Sequence, residues 1–164
     1  MNSDDALLKL AAQVGQHLSE TGRQLVTAES CTGGWIAKVL TDLPGSSHFY
    51  LGGAVTYSNA LKQSLLHVNE LTLQTHGAVS DATVREMACG ALTQLGGDVS
   101  VAVSGIAGPS GALPDKPLGT VWFAWAVRRL GSIECTVRLK QFAGDRQAVR
   151  RASVAEALRG VIEG

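Results

Sequence analysis

An excess of charge of either sign is the first thing this sequence lacks. Its 14 lysines and arginines balance 14 aspartates and glutamates, so the formal net charge is zero. That balance excludes a general electrostatic grip on DNA, RNA or anionic lipid, and any anionic ligand has to be held locally. Cysteine is sparse: Cys31, Cys89 and Cys135 are odd in number and match no zinc or disulfide spacing. Reduced cytosolic thiols are the simplest reading. The four histidines, His17, His48, His67 and His76, lack the i, i+4 pairing of a metal site, so no metal is expected. No apolar run approaches the roughly 20 residues that span a bilayer. The opening Met-Asn-Ser-Asp-Asp lacks the basic and apolar regions of a secretory signal. A cytoplasmic protein without metal, membrane or nucleic-acid partners is expected.

What is present is a foldable core. Apolar residues make up 45% of the 164 positions and charged residues 17%, which excludes disorder and suits one domain over residues 1–164. The 19 glycines exceed the usual share of roughly 7%, and many fall at element junctions. Ser3 caps a helix through about Thr21, with Gly22 as its stop. Gln24 to Glu29 reads as a buried strand, Thr32 to Asp42 as a helix, and Phe49 to Tyr57 as a strand. Gly52-Gly53 within the latter marks a bulge or a close approach. Asn59 is placed as the cap of a short helix carrying Lys62, Leu65 and Leu66, and a second short helix runs from about Asn69 to Gln74. Ser80 caps an amphipathic helix that stops at Gly96-Gly97.

Val99 to Val103 is a strand that opens into a long loop, Ser104 to Leu118. That loop holds three of the four prolines. Thr120 to Val127 and Ile133 to Phe142 read as antiparallel neighbours joined near Gly131. Asp145 caps the last helix. Helices and strands interleave throughout, so the expected class is α/β: a three-layer α/β/α sandwich around a mixed, mostly parallel sheet.

Chemistry concentrates at Ala28-Glu29-Ser30-Cys31-Thr32-Gly33-Gly34, where the first strand gives way to a helix. A hydroxyl and a thiol stand beside amides that, in a first helical turn, favour an anion or a developing oxyanion. The amides near Cys31 to Gly33 are candidate oxyanion donors. Lys62, three residues past Asn59, faces the positive end of its helix, and with burial it would favour the neutral amine that a serine's general base requires. Arg146 cannot lose its proton and is suited to meet a phosphate or an oxyanion.

Blander readings stand beside these. Lys62 could be a solvated surface lysine and Ser30 a helix cap. Tyr57 could be a strand aromatic, and Cys31 a small buried side chain rather than a nucleophile. The nucleophile elbow would need glycines at positions 28 and 32, which hold Ala28 and Thr32. A P-loop lysine is absent after Gly33-Gly34. General motifs leave a phosphate-binding module and a serine hydrolase both open.

Six segments taken together carry a specific resemblance. AESCTGG at 28–34, VTYSNALK at 55–62, HGAVS at 76–80, SGIAGPSG at 104–111, KPLGTVWFA at 116–124 and FAGDRQAVR at 142–150 closely resemble the CinA C-terminal domain family in order and spacing. Members of that family are nicotinamide-nucleotide amidohydrolases, which convert nicotinamide mononucleotide and water to nicotinate mononucleotide and ammonia. The resemblance implies Ser30 as nucleophile and Lys62 as its base, with Tyr57 and Arg146 assisting catalysis and positioning the substrate. It gives the substrate-binding set as Glu29, Cys31, Thr32, Gly33 and Gly34 of the first segment, Asn59 of the second, and Ser104, Gly105, Ile106, Ala107 and Gly108 of the loop.

No cofactor is implied. The expected partners are the small-molecule substrate and further copies of the chain in a homo-oligomer. The family also occurs fused to an N-terminal nucleotide-pyrophosphatase-like domain, and this chain is expected to be the stand-alone form. Two departures stand out. Ser104 replaces a frequent threonine, and the run Ser110 to Leu113 is shorter and less glycine-rich than in many relatives. The rival reading is a non-catalytic nucleotide-binding or regulatory module of the same fold.

Overall fold

The structure, a computed structural model, describes residues 3–164. Helix α1 (Asp4–Thr21) starts where the Ser3 hydroxyl accepts from the Ala6 amide and stops at left-handed Gly22. It is followed by β1 (Leu25–Glu29), α2 (Trp35–Thr41), a 3-10 turn at Ser46–His48 and β2 (Tyr50–Val55). Next come α3 (Asn59–Leu66), α4 (Glu70–His76), α5 (Asp81–Leu95) and β3 (Val99–Gly105). The hairpin β4 (Thr120–Arg129) and β5 (Ser132–Gln141) leads into α6 (Arg146–Glu163).

The five strands form one sheet in the order β2-β1-β3-β4-β5. Ladders β1/β2 and β1/β3 are parallel, whereas β3/β4 and β4/β5 are antiparallel. The ladders are thus evenly divided, although β2, β1, β3 and β5 all point the same way and β4 alone opposes them. The two sheet faces differ in size of side chain. Val101, Val103, Phe123 and Trp125 pack with α1, α2 and α6 in one core. Ala28, Ala102, Ala124 and Ala126 line the other, under α3, α4 and α5. The result is the expected three-layer sandwich.

Besides shifts of one or two residues elsewhere, such as β2 ending at Val55 before Tyr57, two helix starts differ from the sequence reading for a local reason. Helix α2 begins at Trp35 rather than Thr32, because Gly33 and Gly34 take φ of +60° and +95°, which a right-handed helix cannot use. The cap of α3 is Ser58, not Asn59: the Ser58 hydroxyl accepts from the Leu61 amide at 3.1 Å. Of the two expectations at Gly52-Gly53, the close approach falls on Gly53, and the irregularity in pairing falls just before them, at Leu51. The β1/β2 register shifts between Leu25 and Val26, and a Cβ on Gly53 would run into Thr27.

This topology fixes where a ligand can enter. From β1 the chain passes by α2 to β2 on one side, and it returns by α5 to β3 on the other. The carboxyl ends of β1, β2 and β3 therefore flank a switch in strand order, where open α/β sheets leave a crevice. Because β5 shares their direction, the chain leaving it delivers the start of α6 to the same end.

Candidate active site

Ser30 follows the last residue of β1, and its amide donates to Val103 O of β3 at 3.0 Å. The Lys62 amine reaches across from α3 and lies 3.0 Å from Ser30 Oγ. It also donates to Thr56 O at 2.7 Å and to Tyr57 O at 3.2 Å, both in the segment after β2. Lys62 is 1% exposed and Ser30 8%. The solvated reading of Lys62 is therefore overturned. Burial holds the ammonium down to about 8 from 10.5. The moved cap places Lys62 fourth in α3, where its backbone amide already donates to Ser58 O. Desolvation, rather than the end of the helix, is what favours the neutral amine.

The first turn of α2 is not an open anion site. Glu29, 1% exposed, accepts from Thr32 Oγ1 at 2.7 Å, from the Ile36 amide at 2.9 Å and from the Ala37 amide at 3.1 Å. Its carboxylate thus serves the free N–H groups of α2 in place of a cap on Gly34, which has no side chain. Burial raises the Glu29 pKa, while these donors pull it down. Both Glu29 oxygens are thus engaged in holding the start of α2.

The turn between Ser30 and α2 holds the amides that remain. Gly33 N donates to Ser30 O at 3.0 Å and Trp35 N to Thr32 O at 3.1 Å. The Thr32 amide donates to no acceptor among the described residues, although Thr32 is wholly buried. Cys31 is also buried, and desolvation pushes its thiol up to about 12, the opposite of what a nucleophilic thiol needs. Of the two side chains, Ser30 Oγ is the one that meets the Lys62 amine.

Above this floor lies an exposed rim. Tyr57 is 60% exposed, and its hydroxyl accepts from Arg146 Nη2 at 3.1 Å. Arg146 Nη1 donates to Gly108 O at 2.8 Å. Asp145 caps α6 by accepting from the Ala148 amide at 2.9 Å, which sets Arg146 in the first turn. Both Arg146 contacts are to neutral oxygens, and no carboxylate pairs with it among the described residues. Asn59 is exposed at the start of α3.

The loop after β3 supplies backbone. Gly105 still belongs to the strand, where a Cβ would sit 2.7 Å from Val121 Cγ2. Ile106 is clamped by Ile106 N to Thr120 O at 2.9 Å and Gly119 N to Ile106 O at 2.8 Å. Ser104, Ile106, Ala107 and Gly108 are buried, and the segment meets the rim through the Gly108 carbonyl that Arg146 holds.

Two residues escaped the sequence reading. Thr56 offers its carbonyl to Lys62, and its own buried hydroxyl has no partner. Arg150 donates from Nε to Cys31 O at 3.0 Å and from Nη2 to Thr32 O at 3.1 Å. The available signal was its place four residues after Arg146, which puts both cations on one face of α6. No group of three or more His, Cys, Asp or Glu among the described residues could hold a metal ion. No described helix is long and apolar enough to cross a membrane.

Comparison with known proteins shows the family and the fold. The CinA C-terminal domain model matches residues 7–163. The chain is 52% identical over 156 residues to the nicotinamide-nucleotide amidohydrolase PncC of Escherichia coli K12, covering 95% of this chain and 93% of that one. It is 48% identical to the protein of the same name from Pseudomonas putida, covering 97% of each. A crystal structure of competence damage-inducible protein A from Klebsiella pneumoniae superposes with a TM-score of 0.89 at 43% identity. That match covers 96% of this chain and 95% of that one.

Proposed function

Since the chain belongs to the CinA C-terminal domain family, we propose that it hydrolyses the carboxamide of nicotinamide mononucleotide. The products are nicotinate mononucleotide and ammonia, and the reaction runs through an acyl-enzyme on Ser30. The observation that carries this reading is the set of three contacts made by the buried Lys62 amine. A neutral amine has two hydrogens and one lone pair. With its hydrogens given to Thr56 O and Tyr57 O, the lone pair is left facing Ser30 Oγ.

In the first half-reaction Ser30 Oγ attacks the carboxamide carbon while Lys62 Nζ takes the hydroxyl proton. The tetrahedral oxyanion collapses, the C–N bond breaks, and Lys62 returns the proton to the departing ammonia. In the second half-reaction Lys62 deprotonates a water that attacks the ester, the C–O bond to Ser30 breaks, and Lys62 returns the proton to Ser30 Oγ as nicotinate mononucleotide leaves. Protonated Lys62 can donate to all three of its oxygen neighbours, so the same pocket accommodates both states. Such a pair requires no metal and no cofactor.

The rim serves recognition in this reading. Arg146 keeps its charge unneutralised beside Tyr57 and Gly108, which fits it to the substrate phosphate, and Asn59 and the backbone of the 105–108 segment lie within the same mouth. The three unpaired thiols support a cytoplasmic setting, and fractionation of cells would check it. Incubating the purified protein with nicotinamide mononucleotide should release ammonia and nicotinate mononucleotide in equal amounts. Tight binding of the nucleotide with no ammonia would favour the non-catalytic module instead.

A further inference from the structure

Arg150 makes contacts that packing alone does not require. Its guanidinium crosses from α6 and grips the carbonyls of two successive residues, Cys31 and Thr32, immediately after the nucleophile. It lies over the Trp35 ring, 5.4 Å from the centroid, so its plane is held before it reaches the turn. A Cβ on Gly33 would come within 3.3 Å of Nη2, so the turn is shaped to admit it.

These carbonyls matter because a peptide unit is planar and trans, so its C=O and N–H point in opposite directions. The peptide that carries Cys31 O also carries the Thr32 N–H. Fixing Cys31 O toward Arg150 therefore aims the Thr32 N–H away from it. That amide finds no acceptor among the described residues, in a residue with no solvent exposure. A buried unpaired N–H is rare enough to call for an explanation. The other bond acts on the next peptide: Arg150 Nη2 holds Thr32 O, and that peptide's Gly33 N–H is directed to Ser30 O. A charged donor on a carbonyl also polarises the peptide and strengthens the N–H at its far end.

We propose that Arg150 is a positioning residue for catalysis, aiming and polarising the Thr32 amide as the donor that receives the oxyanion formed when Ser30 is acylated. The inference rests on the serine-nucleophile reading above. It assigns Arg150 a different task from Arg146, one turn earlier on the same helix: Arg146 meets the substrate, whereas Arg150 holds the turn while Trp35 and Gln147 flank it. A positioned donor aimed at the transition state acts on kcat, with little effect on ground-state binding.

The test compares wild type, Arg150→Ala and Arg150→Lys by kcat and KM for nicotinamide mononucleotide. Each is also assayed for the rate at which a fluorophosphonate labels Ser30, followed by intact mass. Removing an oxyanion donor usually lowers kcat by roughly 10²–10³-fold, so Arg150→Ala should lose about 10²-fold with KM within about threefold. Labelling should slow in parallel, because the phosphonyl oxygen needs the same amide.

Arg150→Lys should recover only part of the loss, since one ammonium cannot span both carbonyls with a rigid fork. The open cleft of about 350 Å³ beside Thr32, Gly33, Lys38 and Gln147 gives small solutes access to the position of the guanidinium. Added methylguanidine should therefore restore Arg150→Ala in a saturable way, and a protein that had merely lost its fold would not respond. A raised KM with unchanged kcat, or equal labelling rates in wild type and Arg150→Ala, would overturn the proposal. Wild-type protein that labels at Ser30 but releases no ammonia would sink the substrate reading alone, and the labelling comparison would still decide the role of Arg150. Failure of wild type in both assays would overturn both.

Discussion

Ser30 and Lys62 are 8% and 1% exposed, yet Tyr57, whose backbone carbonyl binds the same lysine, is 60% exposed. The buried floor and the exposed rim of the site thus share a residue and differ in solvent. On the floor the polar contacts are made within the protein, and desolvation has moved the lysine toward its neutral form. On the rim Arg146 holds only a tyrosine hydroxyl and a carbonyl, and its charge faces water. Burial is needed where a proton changes hands, because it tunes basicity. Exposure is needed where a charged substrate must be met, because a buried unpaired cation would carry a large penalty.

The sharpest way to break this comparison is to remove the floor. Ser30→Ala should abolish ammonia release, a loss of at least about 10³-fold, while nucleotide binding persists. Cys31→Ala should retain most activity, because its thiol is buried and held protonated. The reverse pattern in the same ammonia assay would move the nucleophile to the thiol.

Next comes Lys62→Arg, which keeps the charge and loses the base. It should be nearly as inactive as Ser30→Ala, because guanidinium cannot accept the serine proton and is too large for a site with 1% exposure. Near-normal turnover would reduce Lys62 to an orienting cation.

The rim should respond more mildly and more selectively. Arg146→Ala should lower kcat/KM for nicotinamide mononucleotide by about 10- to 100-fold, with a much smaller effect on the phosphate-free riboside, since only the nucleotide loses a charge-assisted contact. Equal losses on both substrates would place Arg146 at the amide.

A smaller effect concerns stability. Folding lowers the Lys62 pKa from 10.5 to about 8, so between those values the unfolded chain binds more protons than the folded one. Wild type should then gain stability with rising pH across that window relative to Lys62→Met, by up to about 3 kcal/mol, and show no such trend below pH 8. Denaturant titrations of both proteins at a series of pH values measure it, and parallel curves would contradict a shifted lysine. Smallest of all should be chelation, with no lasting loss of activity in EDTA.

How much of this was legible in the sequence varied by residue and for physical reasons. The α/β alternation, the caps Ser3, Ser80 and Asp145, and the β4–β5 hairpin follow from local patterns, and all are found in the structure. The segments around Ser30, Lys62, Tyr57 and Arg146 carried their family resemblance, and the fold brings those four residues to one end of the sheet. The start of α2 was misread because periodicity does not reveal two glycines at positive φ.

The task of Glu29 was hidden because its partners lie up to eight residues ahead, across the turn. The basicity of Lys62 depends on burial, which its spacing from a cap could not supply. Arg150 was the least visible. Its partners are 119 and 118 residues away in sequence, and no local pattern encodes that contact.

The central claim is that the buried Lys62 amine is a base matched to Ser30. The most direct measurement is an NMR titration of protein carrying 13C at the lysine Cε positions, with the Lys62 signal assigned by its loss in Lys62→Met. The account predicts a midpoint near 8 for that one resonance, coinciding with the rise of kcat/KM with pH, while the other lysines titrate near their ordinary value. A Lys62 midpoint at about 10.5, or a pH–rate profile indifferent to it, would contradict the account.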